Sequence, residues 1–155
     1  MAKLDSTDRR LLEILQANAQ NTAQELSDIL HLSPSQIGRR RQRLEAEGYI
    51  TGTTCTVSAE KLGLSVQAFV QIQTAAQTAE THSAINRLIG SQKEITAAWT
   101  MTGDADYLLR VYCADLPALN HLIQKVLLPH PSVGRVLSQI VMQQLKDDSG
   151  LPVAG

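Results

Sequence analysis

His31-Leu32-Ser33-Pro34-Ser35-Gln36-Ile37-Gly38-Arg39-Arg40-Arg41-Gln42-Arg43-Leu44 is the stretch on which the reading of the fold turns. Ser33 precedes a proline, which suits the first position of a helix because its missing N–H has no helical partner there anyway. Gln36 stands three residues after Ser33, so the hydroxyl and the carboxamide can each satisfy a backbone group at the helix start, a capping box. The helix so opened runs to about Glu47, where Gly48 is a natural stop. It carries Arg39, Arg40, Arg41 and Arg43: four of the chain's 14 basic residues, and none of its 15 acids, fall between Ser33 and Leu44. On an isolated helix such a cluster would be an ordinary solvated face. Its neighbours argue otherwise.

Thr22-Ala23-Gln24-Glu25 is a second capping box, opening a short helix with Ala23, Leu26, Ile29 and Leu30 expected inward. Further upstream, Asp5 caps a helix with Asp8 in its first turn and Leu11, Leu12, Ile14 and Leu15 as its apolar stripe. Two helices joined by a turn of about three or four residues make a helix-turn-helix, whose second helix lies in the DNA major groove. The arginines sit on that second helix, and Ser33 and Ser35 stand at its N-terminus, where hydroxyls and backbone donors can meet a phosphate. Duplex DNA is therefore the expected partner, with Ser35, Gln36 and Arg39 nearest base edges and Arg40 and Arg43 on phosphates or supporting the domain. After Gly48, Tyr49 and Ile50 close the small core, and Thr53-Thr54-Cys55-Thr56-Val57 reads as a β-rich wing. Arg41 interrupts the buried stripe of Ile37 and Leu44, so it must either snorkel outward or rotate the helix.

Composition sets the limits. A length of 155 residues admits one medium domain or two small ones, and small domains are stable enough alone only marginally. Hydrophobic residues at 43% and charged residues at 19% describe a globular chain, while aromatics at 3% leave the core to Leu, Ile, Val and Ala. The formal net charge of −1 excludes coating nucleic acid by bulk charge and leaves one positive element on a mildly acidic body. No apolar run approaches the roughly 20 residues of a membrane span, and the polar start carries no signal-peptide pattern, so a cytoplasmic protein is expected. Cys55 and Cys113 have no metal-ligand or CxxC spacing and read as reduced structural thiols. No cofactor and no metal are expected.

From Val66 the periodicity changes. Val66 to Thr74 alternates with Ala68, Val70 and Ile72 on one side, a half-buried strand. A helix follows over about residues 79–90, a strand from Glu94 to Met101, a turn at Gly103-Asp104-Ala105-Asp106, a strand from Tyr107 to Cys113, a helix capped by Asp115, and a last strand from Val133 to Lys146. The order β-α-β-β-α-β is the ferredoxin-like unit. The fold class is thus α+β: a winged helix-turn-helix over 1–52, wing strand and linker over 53–65, the ferredoxin-like domain over 66–146 and a flexible tail over 147–155. Helices cover one face of such a sheet only. Phe69, Leu137, Val141 and Leu145 complicate the inward parity, so the other face is apolar in places and a partner sheet, hence dimerisation, is the simplest cover.

Taken in order, Leu4-Asp5, Asp8, Leu12, Glu25-Leu26-Ser27, Leu32-Ser33-Pro34, Arg40, Arg43-Leu44-Glu45, Gly48-Tyr49-Ile50 and Thr102-Gly103-Asp104-Ala105-Asp106-Tyr107-Leu108-Leu109 make the chain resemble the feast/famine, or Lrp/AsnC, transcription regulators, from Leu4 to about Lys146. The resemblance implies a homodimer through the sheets, often four dimers in an octameric ring, and a small effector, an amino acid or a relative of one, held between dimers near the Gly-Asp turn. Carried over by residue, it implies Met101, Thr102, Gly103, Asp104, Asp106, Tyr107 and Ser138 at that cleft; chemically, a turn glycine frees backbone groups and a carboxylate meets an ammonium. Three alternatives stay open. Siroheme decarboxylases share the architecture, but His82, His121 and His130 do not converge and no nucleophile–base pair is evident, so no enzyme is expected. A metal- or redox-sensing repressor would need donors clustered around the cysteines. An effector-independent architectural DNA protein would keep the helix and lose the cleft's role.

Overall fold

Each of the first three helices opens on a reciprocal cap. Asp5 accepts the Asp8 N–H at 2.7 Å and Asp8 accepts the Asp5 N–H at 3.1 Å ahead of α1 (Ser6–Ala17). Thr22 with Glu25 opens α2 (Ala23–Leu30), and Ser33 with Gln36 opens α3 (Pro34–Ala46), as the spacing predicts. The computed structural model describes residues 4–153. In it the chain divides into two units: residues up to Thr56 together with those from Leu145 onward, and Val57–Gln144.

The first unit is a helical trio around Leu11, Leu15, Leu26, Ile37 and Leu44, with Leu30, Tyr49 and Ile50 packed on it. Gly48, at φ +78°, takes the left-handed turn that ends α3, and the N–H groups of Tyr49 and Ile50 both return to the Leu44 carbonyl. Two expectations are corrected. Ile29 is 48% exposed and Ala23 is exposed, because α2, only eight residues long, reaches the core through Leu26 and Leu30, one turn apart. The wing strand over 53–57 does not form: residues 51–58 have no regular structure and are exposed. An extended segment needs a neighbouring strand to bond, and among the described residues this unit offers none.

The second unit is the expected β-α-β-β-α-β. Its sheet runs in the order β2 (Ile95–Thr100), β3 (Tyr107–Cys113), β1 (Val66–Thr74), β4 (Val133–Ile140), all pairs antiparallel. Ala68, Val70, Ile72, Leu109 and Val111 form the closed face, covered by α4 (Ala79–Ser91) through Ile85 and by α5 (Leu116–His121) through Leu119. A wide π turn over Leu122–Leu127 prolongs α5 and buries Leu122 and Leu127. The last strand stops at Ile140, not at Lys146. Its partner β1 begins at Val66, and once the Val141 N–H has met the Gln67 carbonyl at 2.9 Å no further ladder is available. The open face carries a row across all four strands, Trp99–Leu108–Gln71–Leu137, with Phe69 beside Arg110 in the next. The tail expected to be loose is held at one point: in the first unit, Gln16 on α1 bonds both backbone groups of Leu151.

Candidate nucleic-acid interface and ligand cavity

The four arginines of α3 are sorted by their partners. Arg40 Nη1 lies 2.7 Å from Asp5 and 2.7 Å from Asp8. Arg43 Nη2 also bonds Asp8, whose carboxylate is fully buried between them, while Arg43 Nε is buried with no hydrogen-bond partner among the described residues. Asp8 thus caps α1 and anchors α3 with one carboxylate. The backbone N–H of Asp8, and then the Arg40 guanidinium, hold the Asp5 carboxyl below the usual carboxylate range; the same carboxylates raise the affinity of Arg40 for its proton. Arg41 turns outward to Glu45 at 3.1 Å, so it snorkels and leaves Ile37 and Leu44 undisturbed in the core.

Arg39 is left exposed, with no ion pair among the described residues. With Ser35 and Gln42, also exposed, it forms an i, i+4, i+7 line along one face of α3. Gln42 was not among the sequence-derived candidates; its spacing from Ser35 and Arg39 is the signal that finds it. Gln36 is exposed but engaged in the cap, its carboxamide oxygen accepting the Ser33 N–H at 2.9 Å, and the Ser33 and Ser35 hydroxyls lie 3.0 Å apart. Arg39, Arg40 and Arg43 with Asp5 line a shallow hollow of about 370 Å³.

In the second unit the β2–β3 turn closes with the Met101 N–H on the Asp106 carbonyl, 2.9 Å. Gly103 at φ +108° takes a conformation that side chains resist. Met101, Thr102, Gly103 and Asp104 are exposed there. Asp106 is committed elsewhere: its carboxylate accepts the Thr74 N–H at 2.7 Å, the Thr74 hydroxyl at 2.8 Å and the Gln77 amide at 2.6 Å, and those bonds hold its carboxyl below the usual range. Tyr107 is buried, its hydroxyl 2.6 Å from His82 Nδ1, and burial pushes that hydroxyl's pKa up. Asp104 and Ala105 line a cavity of about 340 Å³ with Gln71, Gln73, Arg135 and Leu137 on the open face. Ser138 pairs with Val70 and so shares the closed face; the structure does not bring it into this cavity. Arg135 and the two glutamines were not anticipated, because only the strand register puts them beside the turn.

A helix-turn-helix with an arginine on its outward face, in one chain with a βαββαβ unit holding a ligand-sized cavity, defines a class: DNA-binding regulators with a second, ligand-binding domain. Sequence profiles describe residues 4–51 as a winged helix-turn-helix DNA-binding domain and residues 67–151 as an Lrp/AsnC ligand binding domain. The DNA-binding transcriptional activator DecR of Escherichia coli K12 is 31% identical over 150 residues, covering 97% of this chain and 99% of that protein. The leucine-responsive regulatory protein of the same strain is also 31% identical over 150 residues, covering 97% and 92%. A transcriptional regulator of Neisseria meningitidis solved as its L-Met complex superposes with a TM-score of 0.93 at 30% identity over 97% of both chains. E. coli AsnC does so with 0.87 at 28%, over 97% of this chain and all of that one. The chain belongs to the Lrp/AsnC family and is a DNA-binding transcription regulator of that type.

Proposed function

We propose that this regulator binds pseudo-palindromic operators as a homo-oligomer of dimers, up to an octamer, and that a free amino acid modulates its grip. The observation that carries the effector reading is the cavity at the Gly-Asp turn, where Asp104 and Arg135 line one space of about 340 Å³. A carboxylate and a guanidinium there are complementary to the ammonium and carboxylate of one zwitterion. Met101, Thr102 and Gly103 supply the rim and its backbone groups, while Asp106 and Tyr107 hold the turn in place. The L-Met complex of the similar regulator supports an amino acid as the ligand class.

On the DNA side, α3 enters the major groove with Ser35, Arg39 and Gln42 toward base edges. Ser33 and the α3 N-terminus meet phosphate. Two copies read half-sites about one helical turn, or multiples of it, apart. The effector acts only through its different affinity for two assembly states, a coupling of about 1–3 kcal/mol. Work on operators places the chain in the cytoplasm, beside the DNA it reads. Among the described residues no helix is long and apolar enough to cross a membrane.

The test is a thermal-shift screen of the twenty amino acids with oligomer mass measured alongside. At least one should raise the melting temperature of the wild type, and Asp104→Ala should abolish that rise while DNA binding persists. A screen in which no amino acid moves either melting temperature or mass would leave an architectural DNA protein in its place.

A further inference from the structure

The cavity beside the Gly-Asp turn is graded along the sheet. The Asp106 N–H on the Ile72 carbonyl, 2.9 Å, puts that turn at the Gln73 end of β1. There lie the two charges of the lining, Asp104 on the turn and Arg135 on β4, with Gln73 directly opposite Arg135 in the ladder. Two residues further along both strands, about 7 Å inward, Gln71 stands opposite Leu137. Among the described residues, no side-chain hydrogen bond or ion pair engages Gln71, Gln73, Asp104 or Arg135.

Gln71 is out of keeping with its neighbours. Its row across the sheet, Trp99–Leu108–Gln71–Leu137, is otherwise apolar, and Gln71 is half-buried between Leu108 and Leu137. A carboxamide carries two donors and an acceptor with two lone pairs. Whatever covers an apolar row takes water from that carboxamide, and a polar group stripped of water without a new partner is costly. Leu108 and Leu137 offer it nothing. The cavity that Gln71 lines is the space from which a partner can come.

We propose that Gln71 selects the effector by its side chain: the ligand is an amino acid whose side chain is uncharged and ends in hydrogen-bonding groups, as glutamine's does, not an aliphatic or a charged one. This rests on the reading of the cavity as an amino-acid site. With the ammonium at Asp104 and the carboxylate at Arg135, the room left for the side chain lies inward, toward Gln71 and Leu137. A side chain ending in a carboxamide exchanges two hydrogen bonds with Gln71 while its methylenes lie against Leu137. A charged side chain meets no counter-ion, because the head group has taken both charges of the lining. A leucine side chain gains contact with Leu137 but strands Gln71. The loss outweighs the gain: an added methylene discriminates by about 10- to 200-fold at most, whereas a site built to hydrogen-bond a group rejects the analogue lacking it by about 10⁴-fold. At a half-buried carboxamide part of that factor remains.

Isothermal titration of the full chain with L-glutamine, L-leucine, L-glutamate and L-lysine reads the selectivity. On the wild type, glutamine should bind at least about tenfold more tightly than each of the other three. Gln71→Leu, on the face opposite Val70 and Ile72, should bring leucine level with glutamine or ahead of it. Gln71→Asn keeps the carboxamide and should keep glutamine first. The readout is a ratio of two affinities on one variant, so a change in stability or self-association common to both ligands cancels. Leucine, glutamate or lysine ahead on the wild type overturns the proposal. So does a preference for glutamine that Gln71→Leu leaves unchanged, which would give Gln71 to its counterpart in a second copy. In either case, binding that Asp104→Ala abolishes leaves the cavity standing as an amino-acid site. A wild type that binds none of the twenty amino acids removes that reading and this one together.

Discussion

Asp8 decides how the arginines of α3 are used. Buried in the first turn of α1, it draws Arg40 and Arg43 back toward the domain and so leaves Arg39 to face outward. Asp8→Ala should destabilise the first unit by about 1–3 kcal/mol, since two guanidiniums lose a buried partner but keep access to water. Arg39→Ala should leave the melting temperature where it is and weaken specific DNA binding by about 1–3 kcal/mol if its fork reads a base. A loss equal on operator and random duplexes would make Arg39 a phosphate contact instead. Melting curves and binding isotherms on the two variants check the contrast. The cluster was legible in the sequence as a cluster. Arg39 was already expected nearest base edges; what the sequence did not show is what holds Arg40 and Arg43, because the acids that claim them lie 32 to 35 residues away, ahead of and within another helix.

At the scale of elements, local signals carried most of the fold and failed where an element depends on a distant neighbour. The three caps, β1 and β3 are governed by contacts within a few residues or by an unbroken alternation, and they stand where the spacing predicts. The wing and the end of β4 depend on a partner strand, which periodicity cannot reveal. The β2–β3 turn shows the same division. Gly103-Asp104 announces a turn, but the tie from Asp106 to Thr74 and Gln77 joins it to the end of β1 and appears only once the strands are paired. That tie has a pH signature. The Thr74 N–H, before any charge, lowers the Asp106 pKa on folding from its ordinary 3.8. A depressed carboxylate contributes stability above its unfolded pKa and loses it as pH falls through the folded one. The wild type should therefore lose an increment of stability on acidification below about pH 4 that Asp106→Asn lacks, so their melting temperatures should differ most near neutrality and converge as the pH falls further. Parallel acid-titration melts would show curves a constant distance apart if Asp106 were a solvated bystander.

For the whole molecule, the question is what covers the open face of the sheet. Trp99 and Leu137, each 46% exposed, stand at the two edges of one row with Leu108 between them, and Phe69 is half-buried in the next. Parity along the strands already marked Phe69 and Leu137 as misplaced for a solvated face, but nothing local could say which surface meets them. A second copy is the economical answer, because a two-fold axis sets the row against itself and buries its apolar members together. Leu137→Lys tests this without touching the core, since its side chain is on the face opposite Val70 and Ile72. Arg135 lies two residues away on the same face and Arg110 lies inward on the sheet, so the new ammonium adds like charge to its own face and to the partner's. Dimer dissociation should become at least about tenfold easier, about 1.4 kcal/mol, by sedimentation equilibrium. Trp99, the one tryptophan of the chain, reports the same event: its emission should shift to the red as the wild type is diluted, and in the variant that shift should set in at higher concentrations. If Leu137→Lys sediments as the wild type does while its Trp99 emission is unchanged, the copies meet through another surface and the apolar row remains to be explained.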